Sequence, residues 1–413
     1  MEFGKPKFDK RTVVILALTF FITLSVLLGI ACGMLFGELH RIQTQRNMPS
    51  KSITIEEKSI ADIINYIEAL KDSASVIERG EDYKANVINA YLAGTGDPYA
   101  YYYTPEEWKK ETAEDQGNSY GIGVIVGWTG NSIVISRVMS DSPAARAGIK
   151  IGDIMTGVNG TDFDGLTYDE ALAICRGKKG DERNFVIDRQ GETINISVIC
   201  DDYTVDSVFA SVKEYNGTKI GVIEITQFIY PTPNEIREAV NYCMSENCTG
   251  IIFDMRGNPG GLLDSVCGSL DVLLPEGPVI RITTKGSTEE QIQTSDAAYI
   301  TDLPFVILAD QHTASAGELF TACIRDFERA KIIGVTTYGK GCGQTPYALI
   351  DGGYVKFTTF YYAPPVSDNY DGIGIIPDIE VQLPEEYRNV NLALVPEDRD
   401  TQMIAALDFL TQN

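Results

Sequence analysis

The chain has 413 residues, 44% hydrophobic and 22% charged, a balance that excludes wholesale disorder and a many-span membrane protein and suits two or three domains. Its 34 Lys and Arg stand against 58 Asp and Glu, a net charge of -24, so it repels polyanions and no nucleic acid partner is expected. With only two histidines, His40 and His312, a His-rich metal site is not expected and a Ser-His-Asp triad is hard to build.

Residues 1–12 form a short basic tail with Lys5, Lys7, Lys10 and Arg11. Residues 13–36 carry no charge. As a helix that run extends roughly 36 Å, enough for a hydrocarbon core of about 30 Å. We expect a single transmembrane helix that places the rest of the chain outside the cytoplasm. A cleaved signal peptide is the rival, with Gly29-Ile30-Ala31 as a small-x-small site, although its apolar part is normally about 7–15 residues. Of the eight cysteines, Cys32 lies in this run and seven lie beyond it. Cys243 and Cys248 could meet, but spacing does not assign a bond. Buried small apolar residues are the simpler reading for most of them.

Residues 49–116 read as a helical arm. Ile60, Ile63, Ile64 and Ile67 fall at helical spacing, and the stretch from Ser52 to Leu92 is the candidate contact for a homodimer. Gly94-Thr95-Gly96-Asp97-Pro98 ends it with turn chemistry. Thr104-Pro105-Glu106-Glu107 then reads as a helix start.

Residues 117–201 change to short β-rich runs, 123–126, 132–138, 184–188 and 193–198, with helical pieces at 144–147 and 168–174. Residues 202–413 alternate strand and helix. Strands are expected at 219–225, 251–254, 305–308, 332–335 and 354–360, and helices at 233–244, 262–273 and 316–327. That alternation predicts an α/β domain with a partly parallel sheet.

Four constellations in this last region could carry chemistry. Phe253-Asp254-Met255-Arg256-Gly257-Asn258-Pro259-Gly260-Gly261 is a glycine-rich loop between strand and helix. Its amides could hold anionic oxygen, or it is a tight turn and nothing more. Thr313-Ala314-Ser315-Ala316-Gly317-Glu318 places Ser315 at a helix start. There a serine is an N-cap or a nucleophile that gains from helix amides. His312 has no sequence logic as its base. Tyr338-Gly339-Lys340-Gly341-Cys342-Gly343-Gln344 offers Lys340 instead, a general base if desolvation lowers its pKa. Otherwise it is a solvated loop lysine. Gln344 could orient it. The fourth, Gly372 to Ile379, reads as a closing strand or turn near the site without a catalytic role.

Ser142-Pro143-Ala144-Ala145-Arg146-Ala147-Gly148, then Gly152-Asp153-Ile154 and Val158-Asn159-Gly160, resemble a PDZ domain, as does Tyr120-Gly121-Ile122-Gly123-Val124. Such a domain takes an extended peptide as an added strand and holds its terminal carboxylate on turn amides. The resemblance implies that Gly121, Ile122, Gly123 and Val124 bind peptide. From about residue 50 to the C-terminus the ordered motifs resemble the carboxyl-terminal processing proteases, or tail-specific serine peptidases. These motifs are Gly96-Asp97-Pro98-Tyr99, Asn258-Pro259-Gly260-Gly261, Thr313-Ala314-Ser315-Ala316, Gly339-Lys340-Gly341 with Gln344, and Gly374-Ile375-Ile376-Pro377-Asp378.

This resemblance implies Ser315 as nucleophile, Lys340 as base and Gln344 as its partner. The oxyanion hole would come from Ala316 and from Gly260 or Gly261. No metal and no organic cofactor are implied. The implied fold is a crotonase-like α/β core, residues 202–413, with an inserted PDZ domain. Gly317, and Cys342 after the Lys-Gly pair, stand where the family commonly has Ser. The expected protein is a membrane-anchored serine endopeptidase that cleaves C-terminal regions of extracytoplasmic proteins. Its partners would be protein or peptide substrates with free C-termini. A catalytically idle PDZ scaffold and a small-molecule esterase or amidase are the rivals.

Overall fold

The computed structural model describes residues 60–74, 83–287, 289–388 and 390–412. The basic tail and the expected transmembrane segment, residues 13–36, lie outside them. Among the described residues no helix is long and apolar enough to cross a membrane. The chain divides into two units, residues 1–80 and 81–413. In the first, helix α1 (Ile60–Ala74) follows the expected helical spacing. Its Ile60, Ile63, Ile64 and Ile67 are all exposed.

The second unit opens with helix α2 (Tyr83–Ala93), strand β1 (Tyr101–Tyr103) and helix α3 (Pro105–Asp115). The expected helix start at Thr104 is a full capping box. The Thr104 hydroxyl accepts from the Glu107 amide, and the Glu107 carboxylate accepts from the Thr104 amide.

The next segment runs β2 (Asn118–Gly121), β3 (Val124–Trp128), β4 (Ile133–Val138), α4 (Pro143–Ala147), β5 (Ile154–Val158), β6 (Thr161–Asp162), α5 (Tyr168–Cys175), β7 (Glu182–Arg189), β8 (Glu192–Ile199) and β9 (Asp201–Thr204). Five strands form a sheet in the order β3-β4-β5-β7-β8, with β6 on β5, while β2 and β9 pair separately. Alternation along the strands buries Ile133, Ile135, Met155, Phe185 and Ile187 with Phe163 and Ala171 in one apolar core. Strand β3 lies at the sheet edge, so one of its sides is open to a further strand.

The remainder runs β10 (Val208–Tyr215), β11 (Thr218–Ile225), α6 (Thr232–Ser245), β12 (Gly250–Asp254), α7 (Leu263–Leu273), β13 (Gly277–Thr284), β14 (Gln291–Ser295), β15 (Phe305–Ala309), α8 (Ala316–Asp326), β16 (Ala330–Gly334), β17 (Cys342–Ala348), β18 (Tyr354–Ala363), β19 (Ile379–Glu380) and α9 (Thr401–Gln412). One sheet has the order β10-β11-β12-β15-β16-β19. From β11 to β19 its neighbours are parallel, the mixed α/β arrangement expected. Helices α6, α7 and α8 cover one face through Ile236, Val240, Leu270, Leu319 and Phe320. Met403, Ala406 and Leu407 of α9 cover the other. A second sheet carries β18 against β1, β13 and β17. Met139, Val205 and Ile229 join the two domains in a small apolar cluster with Ile125 and Phe209.

Candidate active site

Strand β15 is buried along its whole length and ends in a tight loop. The Asp310 carboxylate accepts from the amides of His312 and Thr313 and, across the loop, from the amide of Gly257. The Ala314 amide donates to the Asn258 carbonyl at 2.8 Å. The loop before Ser315 and the glycine-rich loop are therefore stitched edge to edge.

Ser315 follows with φ +54° and ψ -119°, a backbone state that non-glycine residues rarely adopt. It stands directly before α8. Its amide donates to the Glu318 carboxylate at 2.9 Å. The Glu318 carboxylate is wholly buried and also accepts from Thr337 Oγ1 and from the amides of Gly339 and Lys340. One side chain thus fixes the backbones of both the candidate nucleophile and the candidate base. Burial pushes its pKa up, against the pull of these four donors.

Gly260 lies against Ser315. A Cβ there would fall 2.7 Å from Ser315 Cβ and 3.0 Å from the Ala316 nitrogen, so only glycine permits the approach. The Gly260 amide is occupied, donating to Asn258 Oδ1 at 2.8 Å. Among the described residues, no partner engages the amide of Gly261 or of Ala316.

The Ser315 hydroxyl lies 3.2 Å from the Tyr362 hydroxyl, which also donates to the Lys340 carbonyl. Lys340 sits between two tight glycines. A Cβ on Gly339 would fall 2.8 Å from the Gly374 nitrogen, and one on Gly341 would fall 2.9 Å from the Asp371 nitrogen. The stretch from Gly372 closes over this loop, since the Gly372 amide donates to the Gly339 carbonyl.

The Lys340 side chain is turned to an aromatic ring. Its Nζ lies 4.3 Å from the ring centroid of Tyr99. Burial holds its pKa below the ordinary lysine value, and Lys356 adds to that, while Cys342, Asp97 and Asp371 oppose it. Gln344 bonds Thr358 Oγ1 at 3.2 Å and lies 3.7 Å from Cys342 Sγ. Among the described residues, no hydrogen bond joins Lys340 Nζ to Ser315 or to Gln344. The His312 ring pairs with the Gln311 side chain at 3.2 Å.

Glu318, Tyr362, Asp310 and Tyr99 contribute to this site without having been singled out as site residues from sequence. Glu318 had a readable signal, the capping-box spacing Ser315-x-x-Glu318.

In the smaller domain, Gly121 and Gly123 have φ of +139° and +76°. The carbonyls of Ile122 and Gly123 accept from the amides of Ala144 and Met139. Val124 begins the edge strand β3. The cysteines beyond residue 59 are all free thiols; Cys175 is half-buried and the rest are buried.

Residues 219–381 match peptidase family S41, and residues 110–187 match the PDZ domain. A CtpA-like serine protease of Staphylococcus aureus is 33% identical over 307 residues, 74% of this chain and 61% of that protein. A CtpA-like serine protease of Staphylococcus saprophyticus is 32% identical over 339 residues, 81% of this chain and 66% of that protein. The chain thus spans just under two thirds of the length of the curated relatives it matches. A solved S41 protease structure from Bacteroides fragilis aligns over 89% of this chain and 99% of its own, with a TM-score of 0.56 and 15% identity, an agreement in fold. The chain belongs to peptidase family S41 through residues 219–381 and carries a PDZ domain ahead of that core.

Proposed function

We propose that the protein is a serine endopeptidase that cleaves C-terminal regions of extracytoplasmic proteins. The observation that carries this reading is Ser315, held at φ +54° in front of a helix with the Gly260 backbone pressed against it. Strain of this kind costs roughly 1–3 kcal/mol and persists where it serves a site. In an idle PDZ scaffold it would serve nothing.

In the reaction, Lys340 swings from Tyr99 to Ser315 and, neutral, takes the hydroxyl proton as Oγ attacks the scissile carbonyl. The amides of Ala316 and Gly261 receive the oxyanion. Gly261 is favoured over Gly260 because the Gly260 amide is already bonded to Asn258. Lys340 passes the proton to the leaving amine. Water then hydrolyses the acyl-enzyme with the same lysine as base. Gln344 turns from Thr358 to steady the lysine once it has moved.

The PDZ domain receives substrate C-termini along β3, their carboxylate at the turn from Gly121 to Val124. Residues 13–36 anchor the chain in the membrane, and the exposed isoleucine face of α1 serves a homodimer. The core takes the crotonase-like form that the resemblance implies.

Two variants and a fluorophosphonate probe test the chemistry. The parent is expected to cleave a peptide with an unstructured C-terminus and to label at Ser315. Folded Ser315→Ala and Lys340→Met are each expected to lose at least about a thousandfold in kcat/KM. Substantial turnover by either folded variant refutes the dyad. A folded parent that neither labels nor cleaves supports the scaffold instead.

A further inference from the structure

We propose that Tyr99 is a positioning residue for Lys340, holding its ammonium against the ring and out of hydrogen bonding with Ser315 until substrate arrives, so that the Gly96-Asp97-Pro98-Tyr99 turn belongs to the catalytic site. This rests on the Ser315–Lys340 reading above. The turn comes from the N-terminal arm, some 240 residues from the lysine in sequence, and the peptidase chemistry described so far assigns it no part.

Its geometry is fixed. Asp97 accepts from the Thr358 amide at 2.7 Å, from Thr358 Oγ1 at 3.0 Å and from the Tyr99 amide at 3.0 Å. That clamp sets Tyr99 beside β18, where its ring faces the Lys340 ammonium at 4.3 Å. The same Thr358 hydroxyl accepts from Gln344 Nε2 at 3.2 Å. The turn therefore meets the candidate base through Tyr99 and, by way of Thr358, the glutamine expected to steady it.

An aromatic face attracts the charged amine and not the neutral one. Tyr99 thus favours the protonated lysine, the form that cannot act as base. The other titratable and charged groups around Lys340 are Asp97 on the turn, Cys342 on β17, Lys356 on β18, Asp371 in the closing loop, Tyr338 beside Tyr99, and Glu318 beneath the Lys340 amide. Burial among them lowers the lysine pKa, and the ring moderates that lowering. Removing the ring face while keeping apolar bulk makes the lysine lose its proton at lower pH. The acid limb of kcat/KM reports the free enzyme, in which Lys340 rests on Tyr99, so this limb moves down.

The test compares kcat/KM against pH for the parent, Tyr99→Leu and Tyr99→Phe, with Lys340→Met as control. Tyr99→Leu is expected to shift the acid limb down by about 0.5–1.5 pH units. It should also raise the rate of fluorophosphonate labelling of Ser315 at neutral pH several-fold. Tyr99→Phe keeps the ring face and is expected to match the parent. An unmoved limb in folded Tyr99→Leu overturns the proposal, and so does an equal shift in both variants, which would assign the effect to the hydroxyl. Where Tyr99→Leu does not fold, fluorinated phenylalanines at position 99 keep the shape and weaken the ring face, and the limb must then fall with fluorine content or the proposal fails. Turnover by Lys340→Met overturns the dyad itself. An inactive Lys340→Met with an unmoved limb in the ring variants overturns only the role of Tyr99.

Discussion

Ser315 has the backbone angles of the glycine-favouring position in a tight turn, φ +54° and ψ -119°. The fold tolerates a side chain there because the backbone is held from several sides. The Ser315 amide goes to Glu318, its carbonyl accepts from the Tyr370 hydroxyl at 3.3 Å, and Gly260 abuts its Cβ. A nucleophile displayed on such a turn projects clear of the helix that follows it. If strain is the cost of that display, glycine should relieve it. Ser315→Gly is expected to be inactive yet more stable than Ser315→Ala by about 1 kcal/mol. This is the lower part of the strain range, because glycine also gains freedom in the unfolded chain. Urea unfolding of the two variants measures the difference. Equal stabilities would mean that the strain relieved is no larger than the unfolded-chain freedom that glycine gains. At this scale Ser315 was legible because it opens a helix after a buried strand. The resting place of Lys340 was not, because nothing near position 340 points to a ring at position 99.

The final helix, α9, begins where the glycine-rich loop is anchored. Arg256 is buried and donates to both oxygens of Asp254, to both oxygens of Asp400 and to Gln402. Asp400 Oδ1 also accepts from the Met403 amide in the first turn of α9. The guanidinium therefore ties the end of β12 to the start of a helix nearly 150 residues later, and the loop from Gly257 to Gly261 begins at that knot. Burial alone would lower the Arg256 pKa, but its two carboxylates raise it above the usual value. Asp400→Ala leaves a buried cation half paired, at an expected cost of about 3–5 kcal/mol. It should also weaken fluorophosphonate labelling by loosening the loop. A loss under about 1 kcal/mol in urea unfolding would show that Asp254 alone satisfies the arginine.

The elements legible in sequence were those with one simple pattern. β12 and β15 are continuous buried runs, and α6 and α8 are amphipathic helices. Two of the strands that went unread, β17 and β14, carry poor local signals. β17 contains Gly343 and Pro346, tolerated because it is an edge strand paired only with β18. β14, Gln291–Ser295, is mostly exposed and polar, so its pairing with β13 follows from tertiary contact, not from its own pattern.

Across the whole molecule, the PDZ domain is fixed to the peptidase core by more than its two connections. Arg137 of β4 donates to Glu224 of β11. Asn391 fills the notch left by Gly127, with its Oδ1 accepting from Ser136 at 3.4 Å. Edge strand β3 is thereby presented by a domain with a defined seat on the core, a useful arrangement if substrate ends are received there. At Gly123 the turn before β3 leaves no room for substitution. A Cβ at Gly123 would fall 2.2 Å from Ser142 Cβ, and φ is already positive, so any side chain there would disturb the domain and not merely its ligand. The test must change the peptide instead. A free C-terminal carboxylate can accept charge-assisted hydrogen bonds from turn amides, and these are roughly twice as strong as neutral ones. Amidation removes the charge and leaves the rest of the peptide unchanged. We expect kcat/KM for a peptide with a free, apolar C-terminus to exceed that of its amidated twin by about fivefold or more. A short free-acid peptide without a cleavable bond should compete with a protein substrate, and its amide should compete much less. Equal rates and equal competition would mean that the domain does not select carboxylate ends, and that the closed turn from Gly121 to Val124 serves the structure of the domain alone.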